Sequence, residues 1–127
     1  MSNNFKPEGY NSVSPYFIVK DAERFITLIQ NIFDAEVTRR FDNPDGSIMH
    51  AEMKIDDSVI MLSEATARYP QQPIVMHVYV PDVDATFKKA IDLGCELMDE
   101  PKTSGDPDKR GTFKDFAGNM WSVSTQQ

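Results

Sequence analysis

Asp21 and Asp82 stand 61 positions apart (82 minus 21), and each separates a short β-rich run from an amphipathic helical stripe. Ser14 to Val19 alternates like a half-buried strand and leads into Asp21, whose carboxylate can accept from the free N–H groups of a helix start. Phe25, Ile29, Ile32 and Phe33 then recur at helical spacing. Val75 to Val80, the cap Asp82 and the stripe Val83, Phe87, Ala90 and Ile91 repeat the design, with Gly94 as terminator. A short segment follows each helix, Glu36 to Phe41 or Glu96 to Met98. Each then meets a turn, Asn43-Pro44-Asp45-Gly46 or Ser104-Gly105-Asp106-Pro107-Asp108. Two further strands close each half: Ile48 to Ile55 with Ser58 to Ser63, and Gly111 to Lys114 with Asn119 to Ser124. Met61 and Ser122 in the last strands are again 61 apart (122 minus 61), so the register holds from cap to final strand. The unit is βαβββ, twice, over about 12–64 and 74–124, joined by a linker at 65–73. At 127 residues the chain suffices for a single domain, 1–127, but not for two independent cores of ordinary size.

Acidic residues number 20 against 13 Lys plus Arg, and no basic run exceeds a pair such as Arg39-Arg40, so nucleic acid is not an expected partner. The net charge of -7 favours a cationic ligand or simply solvates the surface. No apolar run approaches the roughly 20 residues of a bilayer span, and Met1 to Tyr10 lacks a signal-peptide core. No membrane partner is expected, and a cytoplasmic location is. The lone Cys95 has no intrachain disulfide partner and reads as a buried structural thiol.

Two runs then carry a resemblance: Val80-Pro81-Asp82-Val83-Asp84-Ala85 before the second helix, and Arg110-Gly111-Thr112-Phe113-Lys114-Asp115-Phe116-Ala117-Gly118-Asn119-Met120-Trp121 near the end. Together with the repeat, which spans about Asn11 to Thr125, they resemble the vicinal-oxygen-chelate superfamily of glyoxalase I, extradiol dioxygenases, fosfomycin-resistance enzymes and bleomycin-resistance proteins. Phe116-Ala117 departs from the Pro and apolar residue usual there, while Gly118 keeps the means to turn. The resemblance implies an α+β fold of paired βαβββ modules whose curved sheets enclose a cavity, completed by a homodimer. A sheet with one face covered by its helix needs a partner for the other face.

Metal-dependent members of that superfamily hold a divalent ion with His or Glu from the first and last strands of each module. Mapped residue by residue, those positions are Ser14, Met61, Val75 and Ser122. A hydroxyl, a thioether and an alkyl group do not replace imidazole or carboxylate donors, so no metal cofactor is expected. A register slip would bring Glu64 or His77 into contention, and a site with two His would need both His50 and His77.

The same mapping sorts strand residues by face. Ser14, Tyr16 and Ile18 are expected toward the cavity, with Pro15, Phe17 and Val19 toward the helix; Val75, His77 and Tyr79 form the cavity set of the fifth strand. Met49, Ala51, Met53 and Ile55 read as core, leaving Ile48, His50, Glu52 and Lys54 opposite. Phe113 is expected inward and Arg110 at the cavity mouth. The candidate ligand-binding residues are therefore Tyr16, His50, Glu52, His77, Tyr79, Arg110, Phe113 and Trp121, although each also has a purely structural reading, Trp121 as core filler above all. The resemblance favours a metal-free binding protein for a small organic molecule, a drug included. Its alternatives are a divalent-metal-dependent lyase, isomerase or dioxygenase, a metal-free enzyme using His50 and Glu52 as acid and base, and an interaction module. Whether the chain is an enzyme stays open at this point.

Overall fold

The computed structural model describes residues 4–127. The chain divides into two compact units between Gln72 and Pro73. The first holds β1 (Tyr16–Val19), α1 (Ala22–Phe33), β2 (Glu36–Asp42), β3 (Ile48–Ile55) and β4 (Ser58–Glu64); the second holds β5 (Val75–Tyr79), α2 (Val83–Asp92), β6 (Glu96–Thr103), β7 (Asp108–Lys114) and β8 (Met120–Gln126). Each is a βαβββ module with one four-stranded sheet, ordered β1-β4-β3-β2 and β5-β8-β7-β6. The first strand of each module runs parallel to the last, and the remaining pairs are antiparallel. The fold is α+β, with a repeat that reaches individual pairings: Tyr16 faces Met61 and, 61 residues on, His77 faces Ser122. No helix among the described residues is long and apolar enough to cross a membrane.

In the first unit Phe17 and Val19 point to one side of β1 and are wholly buried, Phe17 against Phe25 at 5.0 Å between ring centroids. Ala22, Phe25, Ile26, Ile29 and Ile32 form the buried stripe of α1. Asp21 caps that helix by accepting from Arg24 N at 3.3 Å, and it holds a left-handed backbone (φ 64°) that Asp tolerates better than most residues. The Glu64 carboxylate, at the end of β4, accepts from the Asp21 and Ala22 amides, both at 2.9 Å. Anionic oxygens there also complement the helix dipole. In the second unit Asp82 accepts from Ala85 N, and Thr125, 61 residues after Glu64, holds the Val83 amide at 2.8 Å. Cys95 is buried.

Two events displace strand residues from the faces that the sequence reading assigned them. Phe41 pairs with His50 and Asp42 with Ile48, so Met49 is the extra residue of a β-bulge. The expected facing of the two is thereby exchanged: Ile48 is buried and Met49 is half exposed. Phe113 was expected inward but packs against Phe87 of α2 at 6.2 Å, edge to face. The cause is a hairpin one residue longer in the second module. Lys54 pairs with Val59 in the first, Lys114 with Met120 in the second, so the offset is 61 in the last strand but 60 in the strand before it. A one-residue slip moves a whole strand's side chains to the wrong face. Trp121, counted among the ligand residues, pairs with Phe113 and shares its complete burial on the helix side. β6 also runs past Met98 to Thr103, because Pro101 costs an edge strand nothing where the pairing with β7 is irregular.

Candidate functional site

The sheet face opposite α1 carries a continuous hydrogen-bonded chain. Tyr16 lies on β1, half exposed, and its hydroxyl reaches across Met61 of β4 to His50 Nδ1 on β3, 3.0 Å away. His50 Nε2 meets Glu52 Oε2 at 2.7 Å. The other carboxylate oxygen, Glu52 Oε1, accepts from the Tyr10 hydroxyl and has Arg39 Nε at 3.7 Å. Hydrogen-bond chemistry fixes the directions. An ionised carboxylate only accepts, so Nε2 carries a proton, and in neutral His50 the Nδ1 lone pair takes the Tyr16 O–H.

Burial of Glu52 pushes its carboxyl upward, but the bonds from Tyr10 and His50, with the nearby Arg39 guanidinium, outweigh it and hold the group below the usual carboxylate range. Tyr10 responds in the opposite direction: its own burial and then its bond to Glu52 raise the phenol. Phe41 stands beside the two rings of this chain: the His50 centroid lies 5.6 Å from Tyr16 and 6.4 Å from Phe41, whose ring is inclined 26° to the imidazole.

The open face of the second sheet has different chemistry. His77 Nε2 lies 2.9 Å from Ser124 Oγ, which also accepts from Arg110 Nε at 3.2 Å. A serine oxygen has lone pairs for both contacts, so the direction between His77 and Ser124 follows the imidazole tautomer. Partial burial, then the Arg110 charge, lowers the His77 pKa and favours the neutral imidazole. Arg110 also faces Asp106 at 3.2 Å and Asp108 at 3.4 Å, and Tyr79 donates to Asp108 at 2.8 Å, a bond that raises its phenol. The Arg110 guanidinium thus has three internal acceptors, Ser124, Asp106 and Asp108, while part of its side chain stays exposed.

Of the eight candidates, Tyr16, His50 and Glu52 form one cluster and His77, Tyr79 and Arg110 another, while Phe113 and Trp121 belong to the core. Tyr10, Phe41, Asp108 and Ser124 escaped the sequence reading. The positions of Phe41, Asp108 and Ser124 on strand faces held a signal. Tyr10 precedes the first strand and held none.

The metal-ligand positions of the resembled superfamily were tested against these surroundings. Ser14 Oγ is buried without a hydrogen-bond partner, yet it is one neutral oxygen, and Met61, Val75 and Ser122 add no imidazole, carboxylate or thiolate. Glu64 is committed to the start of α1 and His77 to Ser124. These residues do not fit a divalent ion.

Residues 10–123 match the family model of the glyoxalase/bleomycin resistance protein/dioxygenase superfamily. The chain is 28% identical over 137 residues to the uncharacterized protein Rv0887c of Mycobacterium tuberculosis (strain H37Rv), an alignment covering 97% of this chain and 76% of that protein. Its counterpart Mb0911c of Mycobacterium bovis is also 28% identical, with 97% and 86% covered. Among solved structures it is similar to TioX from Micromonospora sp. ML1, with a TM-score of 0.77, 15% identity and coverage of 92% of this chain and 99% of that one. It is likewise similar to the fosfomycin resistance protein FosX of Listeria monocytogenes complexed with Mn(II) and sulfate, with a TM-score of 0.70, 19% identity and coverage of 92% and 90%. At these identities the structural likeness speaks for the fold.

Proposed function

The chain belongs to the glyoxalase/bleomycin resistance protein/dioxygenase superfamily, and from that membership we propose that it binds a small planar organic molecule without a metal, on the open face of its first sheet. One observation carries this reading: three neighbouring rings, Tyr16, His50 and Phe41, share the face with a carboxylate whose charge is already paired, so that recognition falls to ring faces and a few directed hydrogen bonds. The metal-dependent lyase, isomerase or dioxygenase alternative draws no support from the donor set described above. Calorimetry against planar heteroaromatic, cationic glycopeptide and anionic compounds is the direct test. The planar compounds should bind, and Phe41→Ala should weaken them by about tenfold, the worth of one ring contact at roughly 1.4 kcal/mol. Equal affinity in Phe41→Ala and wild type would show that this face is not the site.

The same reading includes a homodimer. Phe41, Val75 and Tyr79 are at least half exposed in the single chain, Val75 at 71%, and apolar strand faces of this kind are covered in stable proteins. Light scattering at micromolar concentration should give twice the 14.4 kDa chain mass, and a strictly monomeric mass would remove the dimer from the proposal.

A further inference from the structure

Both imidazole nitrogens of His50 are engaged, Nε2 by Glu52 and Nδ1 by Tyr16, so the one atom through which this chain meets a bound molecule is the Tyr16 hydroxyl oxygen. The order carboxylate, imidazole, hydroxyl is the order that activates a hydroxyl in nucleophile and base catalysis generally. Here the hydroxyl is a phenol, 43% of whose residue surface is open, whereas the carboxylate end is buried and pinned on its second oxygen by Tyr10. The arrangement is not a by-product of the fold. In the second module the corresponding positions, set by the pairings Tyr16 with Met61 and Glu52 with Met61 against His77 with Ser122 and Thr112 with Ser122, hold His77, Arg110 and Thr112, which form no such chain.

We propose that Tyr16, His50 and Glu52 form a proton relay whose outer end, the Tyr16 phenol, takes a proton from a weakly acidic C–H or O–H group of a planar molecule bound on this face. The proposal rests on the binding reading above and adds an activity to it. In the step, a lone pair of Tyr16 Oη accepts the substrate proton while the phenol's own proton passes to His50 Nδ1. The imidazolium so formed is stabilised by the Glu52 carboxylate at Nε2, and it returns its extra proton to water after the product leaves. Tyr16 is the catalytic residue; His50 receives the proton and Glu52 positions the imidazole.

The probe reaction is ring opening of 5-nitrobenzisoxazole. The base removes the C3 proton, the C–H electron pair forms the nitrile, and the N–O bond breaks to release 2-cyano-4-nitrophenolate, followed by its absorbance. The purified wild-type chain should show saturable turnover above buffer. Tyr16→Phe, which keeps the ring but not the hydroxyl, should lower kcat by about a hundredfold, within the usual range for general acid–base catalysis. His50→Gln should do the same. Binding of the unreactive look-alike 5-nitroindazole, measured separately, should fall far less in Tyr16→Phe than the hundredfold loss of turnover, since the ring remains, and should be weakened about tenfold in Phe41→Ala. Turnover equal in Tyr16→Phe and wild type, or absent in wild type although 5-nitroindazole binds through Phe41, overturns the relay and spares the binding reading. No binding of 5-nitroindazole together with no turnover overturns both. A measurement independent of any substrate is the 15N NMR spectrum of His50, expected to show the Nε2–H tautomer; the Nδ1–H tautomer would also overturn the relay.

Discussion

Asp115→Ala should destabilise the second unit by about 3–5 kcal/mol, because it strips the acceptor from several buried donors at once. Asp115 is 4% exposed, and its Oδ1 accepts from the amides of Ala117 and Asn119 at 2.9 and 3.0 Å. Its Oδ2 accepts from Asn119 Nδ2 at 3.0 Å and Trp121 Nε1 at 2.9 Å. Asn119 in turn accepts the Ile74 amide on its own Oδ1 at 3.0 Å, so one carboxylate organises both the β7–β8 turn and the chain entering β5. An alanine methyl group satisfies none of these donors, and the space it leaves is polar and enclosed. A stability of about 5–15 kcal/mol is ordinary for a domain, so the loss is a large share of the whole. Asp115→Asn should fall between the two, since its carbonyl still serves the backbone amides while its NH2 confronts Trp121 Nε1. Trp121 is the chain's single tryptophan, which makes urea unfolding followed by its fluorescence a report from the affected place. A midpoint for Asp115→Ala corresponding to less than about 0.5 kcal/mol of change would contradict this account of the turn.

Asp115 also shows where sequence reading stops. The run from Asp115 to Asn119 was visible as a turn, and Gly118 does take the positive φ (86°) that lets it close. The carboxylate's hold on Trp121 was not visible, because it depends on β8 folding back beside β7. The repeat was legible, down to the 61-residue offset linking Tyr16–Met61 to His77–Ser122, because caps and apolar periodicity are local properties. Trp121 was misplaced against the alternation itself, since its neighbour Ser122 maps to the open face, whereas the other misplaced residues lie at or beyond an event that local pattern does not register. Met49 is the bulge itself, and Phe113 lies beyond the single extra residue of the second hairpin. His50 and Glu52 came out on the open face because β3 alternates undisturbed from His50 onward, and that much the pattern could say. Their union with Tyr16 and Tyr10 needed the strand order β1-β4-β3-β2, which brings two distant stretches of chain, 10–16 and 50–52, side by side.

Glu52→Ala should cost about 3 kcal/mol at neutral pH, and the cost should shrink as the pH falls. Glu52 is buried, so removing its carboxylate leaves the Tyr10 hydroxyl and the His50 Nε2–H without their acceptor and Arg39 without its nearby charge. The sign of the pH effect follows from the direction of its pKa. Burial alone would raise it, but the bonds from Tyr10 and His50 and the nearby Arg39 guanidinium bring it below the usual value. A carboxyl depressed on folding contributes stability that is fully present above its unfolded pKa and is lost as the pH falls through its folded one. Wild type therefore loses this contribution in acid, whereas Glu52→Ala has none to lose, and the two urea midpoints should converge between neutral pH and about pH 3. A gap that stays constant or widens on acidification would show that Glu52 is not held ionised by this network. Glu52→Gln separates charge from shape. If its amide carbonyl keeps the Tyr10 proton, its NH2 group faces His50 Nε2, where two donors cannot coexist. The imidazole must then move its proton to Nδ1 and so reject the Tyr16 O–H. The 15N spectrum of His50 in Glu52→Gln should accordingly change from the Nε2–H to the Nδ1–H tautomer, and an unchanged tautomer would mean that Glu52 does not set the direction of the chain.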